Sequence, residues 1–177
     1  PMLKEESFHL GTGNNGMLRI VKAGVVPLPL IQKYINKWVP TAYDLFGTDH
    51  SGSAHWAYTW GLKGRYDEGE NQQPADLDFM NEYARNLYIK ECQALLDRIN
   101  RFVPEDQPKL FLPDLKFNRR IGDFGNQPYD LQGNLLPTEQ FPAYLEAHLP
   151  NAADKEMLNG LLRGHEWLAE RELKTGA

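Results

Sequence analysis

Apolar residues recur at helical spacing in four stretches of the chain, at residues 2–22, 29–46, 77–103 and 152–174. Residues three or four positions apart share one face of a helix, so each stretch predicts an amphipathic helix. A shorter helix is predicted over 138–148, and Asn151 is the expected cap of the last one. The pattern therefore predicts a mainly α protein.

Glycine and proline interrupt two of these helices. Gly11, Gly13 and Gly16 each lower the stability of the first helix, although they would also let another backbone approach closely. Pro40 removes one backbone hydrogen bond of the second helix, which predicts a kink near Asn36. We expect Gly47 to end that helix.

The segments between the helices carry weaker patterns. Residues 47–75 are rich in Gly, Ser, Asp and Asn and form the least regular stretch, around a short aromatic segment at 54–62. Trp56 and Trp60 in that segment are expected to anchor the core, although tryptophan can also stack on an adenine or aryl ring. Residues 115–136 predict short strands with a turn at Gln132-Gly133-Asn134, and hence a small β-hairpin.

Composition narrows the functional classes. The chain has 177 residues, a net charge of −5 and one cysteine, Cys92. The negative charge argues against a broad nucleic-acid surface, and no apolar run is long enough to span a bilayer. One cysteine excludes an internal disulfide and fits a reducing compartment, so we expect a cytoplasmic protein. The sequence opens on proline and helical pattern begins at once, from which we expect a piece of a longer protein.

A Glu-x-x-His pair near the start of the chain is the main candidate for metal chemistry. Glu6 and His9 lie one helical turn apart, so a helix presents the carboxylate and the imidazole on one side. Helical bundles use this spacing to offer two ligands to one iron of a di-iron centre, which needs a second such pair and two further glutamates. This chain contains one pair. An ordinary polar pair on a helix surface explains the same spacing.

Several separated segments, in the same order, make the chain resemble the C-terminal part of the catalytic subunits of bacterial aryl-CoA epoxidases. The string at residues 4–9 (KEESFH) is similar to the phenylacetyl-CoA type. The strings at 44–47 (DLFG) and 61–69 (GLKGRYDEG) are closer to the benzoyl-CoA type, and 112–117 (LPDLKF) has counterparts in both. The resemblance runs from residue 2 to about 150.

This resemblance implies a ferritin-like bundle with a non-haem di-iron centre. Such enzymes use O2 to convert the aromatic ring of a coenzyme A thioester into an epoxide, with electrons from NADPH through a separate reductase. Glu6 and His9 would bind iron, and the other ligands would lie upstream of this chain. Residues 1–46 would then be the last helices of the bundle, and 47–177 a C-terminal extension.

Weaker expectations concern the acyl-CoA substrate. By the same resemblance, a polar loop would help line the entrance through which acyl-CoA reaches the active site. Two basic residues would contact the phosphates of coenzyme A. An ordinary solvated loop explains these residues equally well. The residues are Asp49, His50, Ser51, Ser53, Lys63 and Arg65.

Two functions remain open at this point. The first is a fragment of an aryl-CoA monooxygenase that acts in the degradation of phenylacetate or related aromatic acids, and that is inactive alone because most iron ligands are missing. The second is a non-catalytic assembly subunit related to that family. Both predict an uncovered apolar face, and hence a homo-oligomer or a companion ferritin-like subunit.

Overall fold

The computed structural model describes residues 2–48, 50–62 and 80–163. Six helices lie in these ranges: α1 (Met2–Ala23), α2 (Leu28–Leu45), α3 (Gly52–Thr59), α4 (Met80–Asn100), α5 (Phe141–His148) and α6 (Ala152–Leu162). The prediction of a mainly α protein is confirmed. No helix in the described ranges has both the length and the apolar character needed to cross a membrane.

The long predicted helices are present with modest shifts at their ends. Helix α2 runs through Pro40 as one element, and Phe46 caps it immediately before Gly47. Helix α4 ends at Asn100, three residues before the predicted end, and α6 ends at Leu162. The rest of the predicted last helix, at 164–174, lies outside the described residues.

Two predictions about the connecting segments are wrong. Helix α3 forms within the supposedly irregular stretch because the Ser51 hydroxyl accepts a hydrogen bond from the amide of Ala54 and caps its first turn. The short strands expected over 115–136 do not form, and the described chain has there only an isolated bridge between Tyr129 and Leu135. Positive φ angles at Asn118, Gly122 and Asn126 repeatedly reverse the backbone, which prevents a regular ladder.

The main hydrophobic core joins α1, α2 and α4. Its buried members are contributed by these helices and by the segment that follows α4: Val21, Leu28, Ile31, Leu96, Ile99, Val103 and Leu110. The division into a bundle part (1–46) and an extension (47–177) remains a prediction. The core itself contains residues from both sides of that proposed boundary.

Candidate functional site

Helix α1 brings Glu6 and His9 together as their spacing requires. The Glu6 Oε1 and His9 Nδ1 atoms are 3.9 Å apart, and the two side chains are 74% and 61% exposed. Two adjacent ligand atoms that each lie about 2.0–2.2 Å from one metal ion are about 3.0–3.4 Å apart in octahedral or tetrahedral geometry. The two side chains are therefore close neighbours on one turn of α1, but their atoms lie further apart than two adjacent ligands of one ion.

The described residues do not complete a metal centre. Within the ranges 2–48, 50–62 and 80–163, no group of three or more His, Cys, Asp or Glu side chains is placed to hold a metal. Two exposed ligands do not fit a di-iron centre, which requires several carboxylates and a second histidine. The metal role of Glu6 and His9 remains a prediction, and any such centre needs ligands from outside these residues.

An apolar groove lies beside the same helix. It has a volume of about 450 Å³ and is formed by α1, α2, the loop between them and one residue of α6: Met17, Ile20, Val26, Leu30, Ile31, Tyr34, Ile35, Trp38, Val39 and Leu158. Ile20 is 40% exposed and Trp38 is 58% exposed. We call this surface the α1–α2 groove.

The groove and the Glu6–His9 pair lie on one side of α1. At 3.6 residues per turn, Glu6, His9 and Ile20 fall within a sector of about 60° around the helix axis. Gly13 falls in the same sector, and a Cβ atom added there would meet nothing within 4 Å. One side of α1 therefore carries the candidate ligands, an open glycine position and an apolar residue of the groove.

Part of the polar loop before α3 stabilises the first turn of that helix. Ser51 Oγ accepts from the Ala54 amide, donates to the Thr48 carbonyl and lies 3.1 Å from Ser53 Oγ. Ser51 and Ser53 are thus brought together, and His50 next to them is exposed. The other residues expected at an acyl-CoA entrance, Asp49, Lys63 and Arg65, lie outside the described residues, so this role stays a prediction.

The two tryptophans of α3 do not anchor the core, contrary to expectation. Trp56 is 52% exposed and Trp60 is 69% exposed, and their ring centroids are 5.6 Å apart. Helix α3 has one buried residue, Ala54. The aromatic composition of the segment predicts burial, but a short helix that buries only one small residue leaves its larger side chains in solvent.

A buried ion pair near the end of α2 was missed by sequence reasoning. Arg119 is only 4% exposed, and its Nε donates to Asp44 Oδ1. Asp44 Oδ2 also accepts from the amide of Arg120, whose side chain is exposed. Asp44, in the string at residues 44–47, could have indicated this ion pair in the sequence. A carboxylate at the end of an amphipathic helix needs a partner when it is buried.

A cluster of phenol and thiol groups lies between α2 and α4. Burial raises the pKa of Tyr43 to about 12. Burial also raises the pKa of Tyr88, as does its hydrogen bond with Cys92. The pKa of the Cys92 thiol is raised by burial too. Cys92 is half-buried, and a thiol with a raised pKa is a poor nucleophile, so these groups are structural at neutral pH.

The chain is similar in sequence to a known oxygenase component, although no protein-family model matches it. The chain is 27% identical to benzoyl-CoA oxygenase component B of Aromatoleum evansii, over an alignment of 205 positions that includes gaps. The chain resembles this aryl-CoA oxygenase component. The alignment covers 91% of this chain and 43% of the relative, so the chain spans less than half the length of that protein. The predicted resemblance to the benzoyl- and phenylacetyl-CoA epoxidases is confirmed.

Proposed function

We propose that this chain is part of an O2-dependent aryl-CoA oxygenase in which Glu6 and His9 bind iron. The observation that carries the proposal is the similarity to benzoyl-CoA oxygenase component B over 91% of the chain. The placement of Glu6 and His9 on one turn of α1 supports it, because a carboxylate and an imidazole suit non-haem iron. Iron at this position would supply the activation of O2.

The substrate class follows from the relative's name. We propose an aryl-CoA thioester such as benzoyl-CoA or phenylacetyl-CoA, whose ring receives one oxygen atom as an epoxide. The second oxygen atom leaves as water, with two electrons from NADPH delivered by a separate reductase. His50, Ser51 and Ser53, together with Asp49, Lys63 and Arg65, are the proposed contacts of the coenzyme A part.

The α1–α2 groove has a place in this proposal. An apolar surface with Trp38 and Ile20 exposed is costly to leave in water. We propose that further helices of a longer, ferritin-like polypeptide cover it and bring the remaining iron ligands to Glu6 and His9. Residues 1–46 would then form the last helices of the bundle.

Iron analysis of the full-length protein tests the assignment of the ligands. Glu6→Gln and His9→Gln should each lower iron content or affinity by at least the roughly 10- to 100-fold that loss of a supporting group near a metal costs. O2-dependent consumption of benzoyl-CoA should fall with it. Glu5→Gln is the matched control, because Glu5 is an exposed neighbour about 100° around the helix and should leave iron unchanged. Normal iron content in both ligand variants would overturn the assignment.

The chain of 177 residues is proposed to be inactive by itself. Two ligands hold a metal weakly, so the purified chain should contain far less than one iron per molecule and should oxidise no aryl-CoA. Metal analysis by mass spectrometry gives the result directly. Stoichiometric iron in this chain would show that the remaining ligands lie within it.

The alternative function is a non-catalytic assembly subunit, and the α1–α2 groove is the observation that favours it. A subunit of this kind would use the groove to dock on a companion helical protein. It predicts a full-length product that binds no iron and oxidises no acyl-CoA, yet forms a stable complex. Iron content and complex formation, measured on the same preparation, separate the two functions.

A further inference from the structure

Helix α6 reaches the α1–α2 groove through a single residue, Leu158. None of its residues is buried, and Met157 and Leu162 are 48% and 60% exposed. Leu158 is nevertheless part of the groove wall, beside residues of α1 and α2. The helix therefore covers apolar surface while little of its own surface is buried.

One ion pair ties α6 to the rest of the fold. Lys33 Nζ of α2 lies 2.8 Å from Asp154 Oδ2, with the two side chains 21% and 13% exposed. Between described residues, this is the one side-chain hydrogen bond that joins α6 to another helix. Asp154 also accepts from the Asn151 amide in the capping box, so the tether acts on the first turn of α6.

The preceding helix, α5, is held much more firmly. Asn36 of α2 is 1% exposed, and its Nδ2 donates to the carbonyl of His148 at the end of α5. The Asn36 Oδ1 atom accepts from Gln32 in the same network. Residues 149–151 thus connect a helix end fixed by a buried amide to a helix held by a partly exposed ion pair, which is the arrangement of a hinge.

We propose that α6 is a releasable strap over the α1–α2 groove. In the closed state Leu158 lies in the groove wall and Lys33 holds Asp154. When the ion pair breaks, α6 turns away at residues 149–151. Leu158 then leaves the groove wall and uncovers the apolar surface beside it. Segments with little burial open at low free energy while the core stays folded, so this opening is local. The inference does not depend on the oxygenase function.

Hydrogen exchange, read by mass spectrometry, tests the strap. Lys33→Met removes the ion pair and should speed exchange of α6 amides by about 2- to 5-fold, as expected for a partly exposed pair. Exchange in α4 should not change. Lys37→Met is the matched control, because Lys37 lies one turn further along α2 with its Nζ over the ring of Trp38 and has no bond to α6.

A second variant and a second measurement distinguish local opening of α6 from a general loss of stability. Leu158→Ser keeps the ion pair but weakens the apolar contact, and it should also speed exchange in α6 alone. Both Lys33→Met and Leu158→Ser should bind more of an apolar fluorescent dye than the unsubstituted protein does. Equal exchange in α6 for Lys33→Met and Lys37→Met would overturn the strap, and so would a parallel increase in α4 and α6.

Discussion

At the scale of single residues, Gly133 shows how one backbone angle shapes the segment that replaces the expected hairpin. Its φ is +82°, a conformation that costs residues with a Cβ atom. Asp130 stabilises the same turn, since its Oδ1 accepts from the amides of Gln132 and Asn134. The predicted turn at 132–134 is present, although it joins no strands.

Substitution of Gly133 by alanine should destabilise the protein. A Cβ atom there would lie 2.6 Å from Cγ of Asp114, in addition to the strain of positive φ, so we expect a loss of about 1–3 kcal/mol in the free energy of unfolding. Urea denaturation measures it. Gly160→Ala in α6 is the control, because an added Cβ there meets nothing within 4 Å. An unchanged urea midpoint for Gly133→Ala would contradict the prediction.

Removing one partner of the ion pair between Asp44 and Arg119 should lower the free energy of unfolding, because it leaves the other charge without its partner. Arg119→Met leaves the Asp44 carboxylate partly buried with the Arg120 amide as its remaining donor, and removing one partner of a buried pair costs about 3–5 kcal/mol. Chemical denaturation with urea measures the loss. Arg120→Met should stay within about 0.5 kcal/mol of the unsubstituted chain, because its side chain is exposed. Equal effects of the two substitutions would disprove the role of the pair.

At the scale of helices, caps and tethers decide where each element ends and what it contacts. Ser51 starts α3, and Asn151 with Asp154 starts α6, in both cases through side chains that accept from free backbone amides. Helix α2 has prolines at its first turn instead, where their missing amide hydrogens cost nothing. These local signals are readable in the sequence, whereas the Lys33–Asp154 tether joins residues far apart in the chain.

The tether between α2 and α6 should weaken in acid. The hydrogen bond from Lys33, and then the Asn151 amide, lower the pKa of Asp154 below its ordinary value of 3.8. Because the folded-state pKa is depressed, the stabilisation is present above 3.8 and is lost as the pH falls through the lower folded-state value. An NMR titration of the Asp154 carboxyl carbon should give a midpoint below 3.8, which moves upward in Lys33→Met. Identical midpoints in the two proteins would exclude the tether.

At the scale of the whole molecule, the part of the α1–α2 groove that α6 leaves exposed predicts self-association of this chain. Apolar side chains exposed in one continuous surface favour burial against a second copy when no other helix covers them. Light scattering should detect a dimer or a larger oligomer, and Trp38→Lys should weaken it by at least about tenfold, as loss of an aromatic anchor does. Leu135→Lys is the control, since Leu135 is 64% exposed but lies outside the groove wall. A monomer at high concentration would show that the groove does not drive association.

Much of what the sequence predicted correctly is local. Helical periodicity located α1, α2 and α4, Asn151 was recognised as a cap, and the spacing of Glu6 and His9 placed both on one side of α1. Each of these depends on residues within a few positions of one another, where backbone geometry alone sets the relation.

The tertiary structure determines which side chains are buried and which residues form pairs. Among the described residues α3 buries only Ala54, which leaves Trp56 and Trp60 exposed. Arg119 is buried because Asp44 lies opposite it, 75 positions away in the chain. The groove and the α6 strap likewise depend on which helices meet. Periodicity tells which side of a helix is apolar, but the solvent exposure of a side chain depends on distant segments that periodicity does not identify.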